Sequence, residues 1–146
     1  MFSWLFGKPL AIGQVAPDFT LPDQDGRPVT LSRLRGKPVI LVFYPADETR
    51  VCRQQLCEFR DMDGLANEKG VLVYGVNPGS AESHSRFRMR QNLPFPLLVD
   101  VNRKVASLYR ANGLMVKRTV YLIGTDGRIR FSVRGKPSAE EVIRQA

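Results

Sequence analysis

Cysteine is scarce in this 146-residue chain: only Cys52 and Cys57 are present, too few and too close together for the disulfide framework of a small secreted domain. Long apolar runs are missing too. The apolar start, Met1 to Phe6, is interrupted by Gly7 and Lys8, far short of the roughly 20 residues that a membrane span requires. It also lacks the basic residues and longer apolar core of a secretory signal. The expectation is a cytoplasmic chain without a membrane segment, in which Phe2, Trp4, Leu5 and Phe6 pack on the domain or on a second copy. Histidine occurs once, as His84, within a segment so polar that the ring is expected at the solvated surface. Cations outnumber anions, 22 against 14, for a net charge of +8, which would suit a nucleic-acid partner. However, Lys and Arg are spread over the whole chain with no dense run and no interleaved aromatics, and no nucleic-acid role is expected.

What is present suits one globular domain over residues 1–146, with an N-terminal extension over 1–12. The chain is 43% hydrophobic and 25% charged, enough apolar material for one sizeable core. Short β-prone pieces flank Asp25-Gly26, a turn-forming dipeptide, and predict an N-terminal hairpin. Pro38 to Tyr44 is a continuous apolar run ended by Pro45, the pattern of a strand covered on both faces. From Arg50 to about Lys69 the apolar positions Leu56, Phe59, Met62, Leu65 and Ala66 recur at helical spacing, with Gly70 as the stop. A second buried strand at VLVYGVN and a polar helix capped by Ser80 follow. Next come a strand at PLLVD, a helix at about Asn102 to Tyr109, strands at RTVYLIG and RIRFSV around Asp126-Gly127, and a last helix opened by Pro137-Ser138. This order predicts an α/β fold with a mixed central sheet flanked by helices.

Cys52 falls just after the first long buried strand, at the sheet edge where open α/β folds place their ligands. With Thr49 as N-cap, Cys52 is the third helical residue, among backbone N–H groups that have no intrahelical partner. Those donors, the helix dipole and the neighbouring Arg50 and Arg53 favour a thiolate, the nucleophilic form of cysteine. A small buried apolar side chain is the competing reading. Cys57 sharpens the choice, because C-x-x-x-x-C is neither the C-x-x-C of thiol–disulfide oxidoreductases nor a repeating zinc pattern. On an ideal helix the two Cα atoms are about 8.6 Å apart. Bridged cysteines need about 7 Å or less, so joining these two requires the helix to unwind locally.

The run VAPDFTLPDQDGRPVTLSRLRGKPVILVFYPADETRVCRQQLCEFRD resembles the N-terminal half of the peroxiredoxins, and within them the Q-type branch that includes bacterioferritin comigratory protein. The likeness continues through GVNPGSAESHSRF, LPFPLLVDVNRKVASLY and RTVYLIGTDGRIR. It implies a thioredoxin-like fold. The family motif P-x-x-x-T-x-x-C falls on Pro45, Thr49 and Cys52, which implies that Cys52 is the peroxidatic cysteine. Thr49 would then hydrogen-bond peroxide or thiolate, and Pro45 would shield the pocket from water. Arg118 would be the active-site arginine and Cys57 the resolving cysteine. The implied reaction is reduction of hydrogen peroxide or an organic hydroperoxide, with thioredoxin or glutaredoxin as reductant, no cofactor, and a monomeric enzyme. Family members often read T-P-G-C, whereas Arg50 and Val51 stand here in place of Pro-Gly, so the turn lacks the preorganising proline and Arg50 adds a positive charge beside Cys52. A thiol–disulfide oxidoreductase and a redox sensor or binding module are the alternatives on the same fold.

Overall fold

A computed structural model describes residues 7–146, so the expected packing of Phe2, Trp4, Leu5 and Phe6 lies outside the described residues. Strands β1 (Thr20–Pro22) and β2 (Pro28–Thr30) form the expected hairpin. Its loop is closed by the Asp23 carboxylate, which accepts from the Asp25 and Arg27 N–H groups at 2.8 and 3.0 Å. Gly26 occupies the left-handed position there, at φ 81°. The central strand β3 (Val39–Phe43) is buried at every residue, as a strand covered on both faces must be. Helix α1 (Arg50–Asp61) follows it.

The expected single helix to Lys69 is instead two. Met62 breaks it at φ −100°, ψ 14°, and α2 (Asp63–Glu68) restarts beyond. Asp61, Asp63 and Gly64 are weak helix formers in succession, so the apolar period continues across a backbone that does not. The chain goes on through β4 (Leu72–Asn77), α3 (Ala81–Gln91) and β5 (Leu97–Val99). The helix expected at Asn102 begins as a 3-10 turn, because Asn102 and Arg103 are left-handed at φ 60° and 57°, and only α4 (Lys104–Leu108) is α-helical. Both Asp100 carboxylate oxygens cap α4, accepting from Val105 and Ala106 N–H at 2.9 Å each. Strands β6 (Thr119–Ile123) and β7 (Ile129–Arg134) and helix α5 (Ala139–Arg144), capped by Ser138, complete the chain.

The five-stranded sheet has the order β5-β4-β3-β6-β7, with β3, β4 and β5 parallel and β6 antiparallel to both its neighbours. It is therefore the mixed sheet expected. Alternate residues of β3 feed two cores: Val39, Leu41 and Phe43 pack with α4 and the hairpin, and Ile40 and Val42 with α1, α3 and α5. Gly75 in β4 leaves space for the Tyr44 ring, since a Cβ there would lie 3.1 Å from Tyr44 Cε1 and 2.6 Å from Leu97 Cδ2. Leu56 seats α1 on the sheet with no solvent exposure. Leu56→Ala should cost about 2–5 kcal/mol, read as a lower urea midpoint at unchanged slope for the reduced protein.

Register then places the chemistry. Phe43, the last residue of β3, is opposite Thr119, the first of β6. The loop leaving β3 towards α1 and the residue entering β6, Arg118, thus meet at one end of the sheet.

Candidate active site

Thr49 is the N-cap of α1 in extended conformation, and Arg53 N–H closes the first helical bond onto the Thr49 carbonyl at 2.8 Å. The Thr49 hydroxyl does not cap the helix. It donates back to the Ala46 carbonyl at 3.1 Å, and this bond curls the Pro45–Thr49 loop. Having donated its one hydrogen, the oxygen keeps lone pairs that can accept from a ligand hydroxyl. Cys52 occupies the third helical position with only 1% of its surface exposed. Pro45 lies in the same loop, half-buried, whereas Arg50 and Arg53 are exposed.

Arg118 reaches the sulfur directly. Its Nη2 donates to Cys52 Sγ at 3.1 Å, and its Nη1 donates to Gln55 Oε1 at 2.7 Å. Gln55 is nearly fully buried, and its Nε2 donates to the Gly135 carbonyl at 3.2 Å, while Gly135 N–H returns to the Arg118 carbonyl at 2.8 Å. The guanidinium is therefore held from both sides and cannot rotate away from the sulfur without losing a second bond. Gln55 is absent from the sequence expectations, although a signal exists: positions 52, 55, 56 and 59 share one helical face, and a glutamine on that buried stripe needs a polar partner.

Cys57 is half-buried on the same helix and unbridged, with its thiol donating to Gln91 Oε1 at 3.5 Å. Nearby, Arg60 Nη1 donates to the Gln91 carbonyl at 2.7 Å, so the end of α3 is tied to the last turn of α1. The structure thus brings Arg118 onto Cys52, with Thr49 at the N-cap three residues before it and Pro45 at the start of the same loop, and sets Cys57 further along the helix.

His84 corrects a surface expectation. It has no solvent exposure and faces inward from α3. Its helix is polar overall, but His84 and Phe87 are three residues apart and form the buried stripe. The polarity of the other positions conceals that stripe in the sequence.

A buried cysteine in the first turn of a helix, with a guanidinium N–H on its sulfur and a thioredoxin-like mixed sheet beneath, fits a thiol-dependent peroxidase of the thioredoxin fold. Residues 12–132 match the AhpC/TSA family. Peroxiredoxin Q of Sedum lineare chloroplasts is 41% identical over 90% of this chain and 73% of its own length. A putative peroxiredoxin bcp of Coxiella burnetii is 39% identical over 82% of this chain and 85% of its own. The chain spans a smaller share, 62%, of the rice chloroplast relative. Among solved structures, the peroxidoxin BcpB of Mycobacterium tuberculosis superposes with a TM-score of 0.87 at 30% identity, covering 93% of this chain and 96% of that one. The chain belongs to the AhpC/TSA family, and within it to the peroxiredoxins of the Q and bacterioferritin-comigratory type.

Proposed function

We propose that Cys52 is the peroxidatic nucleophile, Cys57 the resolving thiol, Arg118 the charge-stabilising group, and Thr49 and Pro45 the elements that receive and shield the peroxide. The observation that carries the reading is the 3.1 Å contact from Arg118 Nη2 to Cys52 Sγ at the start of α1. An N–H of a fixed guanidinium favours an anionic sulfur and can shift its charge-assisted bonds to the oxygens of a hydroperoxide as the O–O bond lengthens. Among the described residues, the Val51 and Cys52 N–H groups at the helix start have no hydrogen-bond partner, so they are further donors for an oxygen that gains charge.

The cycle balances in three steps. The Cys52 thiolate attacks the terminal oxygen of hydrogen peroxide or an organic hydroperoxide. An S–O bond forms, the O–O bond breaks, and the departing oxygen takes a proton to leave as water or alcohol, while sulfur is oxidised to sulfenic acid. The Cys57 thiol then displaces that oxygen as water and forms an intramolecular disulfide. Finally a dithiol protein of the thioredoxin or glutaredoxin type restores both thiols by exchange and leaves oxidised. Because both cysteines lie inside the continuous helix Arg50–Asp61, the second step requires the turns between them to open. Two unbridged cysteines and a cycle closed by thiol exchange fit a reducing compartment such as the cytoplasm. Among the described residues no helix is long and apolar enough to cross a membrane.

Cys57→Ser separates the steps. Peroxide should still consume one equivalent of Cys52 thiol, but the product should be a sulfenic acid that dimedone captures, and thioredoxin should no longer support turnover. A Cys57→Ser enzyme that turns over with thioredoxin at the wild-type rate would remove the resolving role. Wild-type protein that ignores peroxide yet exchanges with small disulfides would favour an oxidoreductase instead.

A further inference from the structure

Helix α3 carries the single histidine of the chain onto the back of the active-site loop. His84 Nε2 lies 3.2 Å from the Asn77 carbonyl oxygen and 3.0 Å from that of Leu98. Both partners only accept, so Nε2 carries a hydrogen. On the other side of the ring, Nδ1 lies 2.6 Å from Asp47 Oδ2. That oxygen also accepts from the Ser83 hydroxyl at 2.8 Å, and Asp47 Oδ1 accepts from the Tyr44 hydroxyl at 2.6 Å. Burial pushes the Asp47 carboxyl towards its neutral form, but the donors from His84, Tyr44 and Ser83 outweigh it and hold the pKa below the usual carboxylate value. Tyr44 is pushed well above the ordinary phenol range, first by burial and then by the Asp47 charge, so it stays a donor.

The network is closed. Asn77 Nδ2 donates to the Tyr44 carbonyl at 2.8 Å, and Gly79 N–H donates to Asn77 Oδ1 at 2.7 Å. Glycine is required at position 79, since a Cβ there would lie 2.8 Å from Asn77 Oδ1 and 3.4 Å from Asp47 Oδ2. The next loop residue, Glu48, is left-handed at φ 64°, a conformation that costs a non-glycine residue energy, and its carboxylate is paired with Arg90, also on α3. Two successive residues of the loop are thus held by one helix. Neither Asp47 nor His84 is hydrogen-bonded to Cys52, so whatever they do for the reaction passes through the loop.

We propose that the hydrogen-bonded pair Asp47 and His84 forms a buried brace that fixes the Pro45–Thr49 loop to α3 and so positions Thr49 and Pro45 for the peroxide approaching Cys52. They are positioning residues, and the proposal rests on the active-site reading above. Buried polar pairs contribute little net stability compared with apolar packing, whereas three directional contacts on each partner define an orientation. A loop displaced by about 1 Å misaligns the peroxide and slows attack by up to about a hundredfold.

The test compares two reactions of one sulfur. Asp47→Asn keeps the side-chain shape and removes the charge. In reduced full-length protein, the single-turnover rate of Cys52 oxidation by hydrogen peroxide should fall about tenfold. Alkylation of Cys52 by iodoacetamide, measured in a Cys57→Ser background, needs the sulfur but not the peroxide-receiving loop and should change less than about twofold. His84→Gln should behave alike, and the double variant should lose no more than either single one. An unchanged peroxide rate, or peroxide and alkylation rates that fall together, would overturn the brace. Should the variants not fold, the wild type decides: with one histidine, selective nitrogen-15 labelling should show an Nε2 N–H that exchanges slowly, as a hydrogen held by two carbonyls on a buried ring must. An Nε2 N–H that exchanges as fast as that of a free imidazole would overturn it. Failure of the active-site reading itself looks different, because wild-type Cys52 would then not respond to peroxide at all.

Discussion

Serine at position 52 should leave the protein folded and without peroxidase turnover. The side chain is 1% exposed and packs with Leu56 and Phe59, so an isosteric hydroxyl disturbs the core little. The chemistry is another matter, because a serine hydroxyl stays protonated near neutral pH even beside a guanidinium, and no general base is hydrogen-bonded to position 52 among the described residues. Peroxide consumption supported by dithiothreitol or thioredoxin should fall by on the order of 10⁴-fold or more, to the level of the reductant alone. Circular dichroism and the thermal midpoint should stay near those of the wild type. Retained turnover in Cys52→Ser, with Cys57 then the thiol consumed, would move the nucleophile to the other sulfur.

Arg118→Met should lower kcat/KM for hydrogen peroxide by about 10²–10³-fold, the range for losing one preorganised donor at a developing oxyanion. Two bonds are lost together, to Cys52 Sγ and to Gln55 Oε1. Methionine fills similar volume without charge, so the loss belongs to electrostatics more than to packing. Arg118→Lys is the informative companion. An ammonium keeps the charge but cannot place two planar N–H groups on sulfur and amide at once, so its rate should fall between those of wild type and Arg118→Met. Stopped-flow oxidation of the reduced enzyme isolates this step from disulfide formation. Equal rates for wild type and Arg118→Met would leave the guanidinium with a structural task only.

The sequence predicts the order of strands and helices because its apolar pattern is strong where the sheet is. Pro38 to Tyr44 has no competing period, and Val39–Phe43 is buried throughout. Boundaries set by backbone geometry are less legible: nothing in the period of Phe59, Met62 and Ala66 signals the break at Met62, and Asn102 and Arg103 take left-handed angles inside an expected helix. The site divides the same way. Cys52, Thr49 and Pro45 share one short segment and a recognisable motif. Arg118 comes to the sulfur only through the antiparallel pairing of β3 with β6, which no local pattern encodes. Gln55 and His84 are hidden for another reason. Each is a polar residue on the inward stripe of a helix, and its value depends on partners 63 and 80 residues away for Gln55, and 37 away for His84.

Gln55 sits between the two cysteines on α1, so the geometry couples the oxidation state of the sulfurs to the arginine. Any covalent link between positions 52 and 57 uncoils the stretch that carries Gln55 and unmoors Arg118. An oxidised molecule therefore offers a second peroxide neither a free thiolate nor a prepared cation. Rewinding a short helical stretch takes on the order of a microsecond, far faster than thiol exchange. In the proposed cycle the spent enzyme would thus wait on its electron donor and not on its own recoil, and each visit of the donor would reset sulfur and guanidinium as one unit.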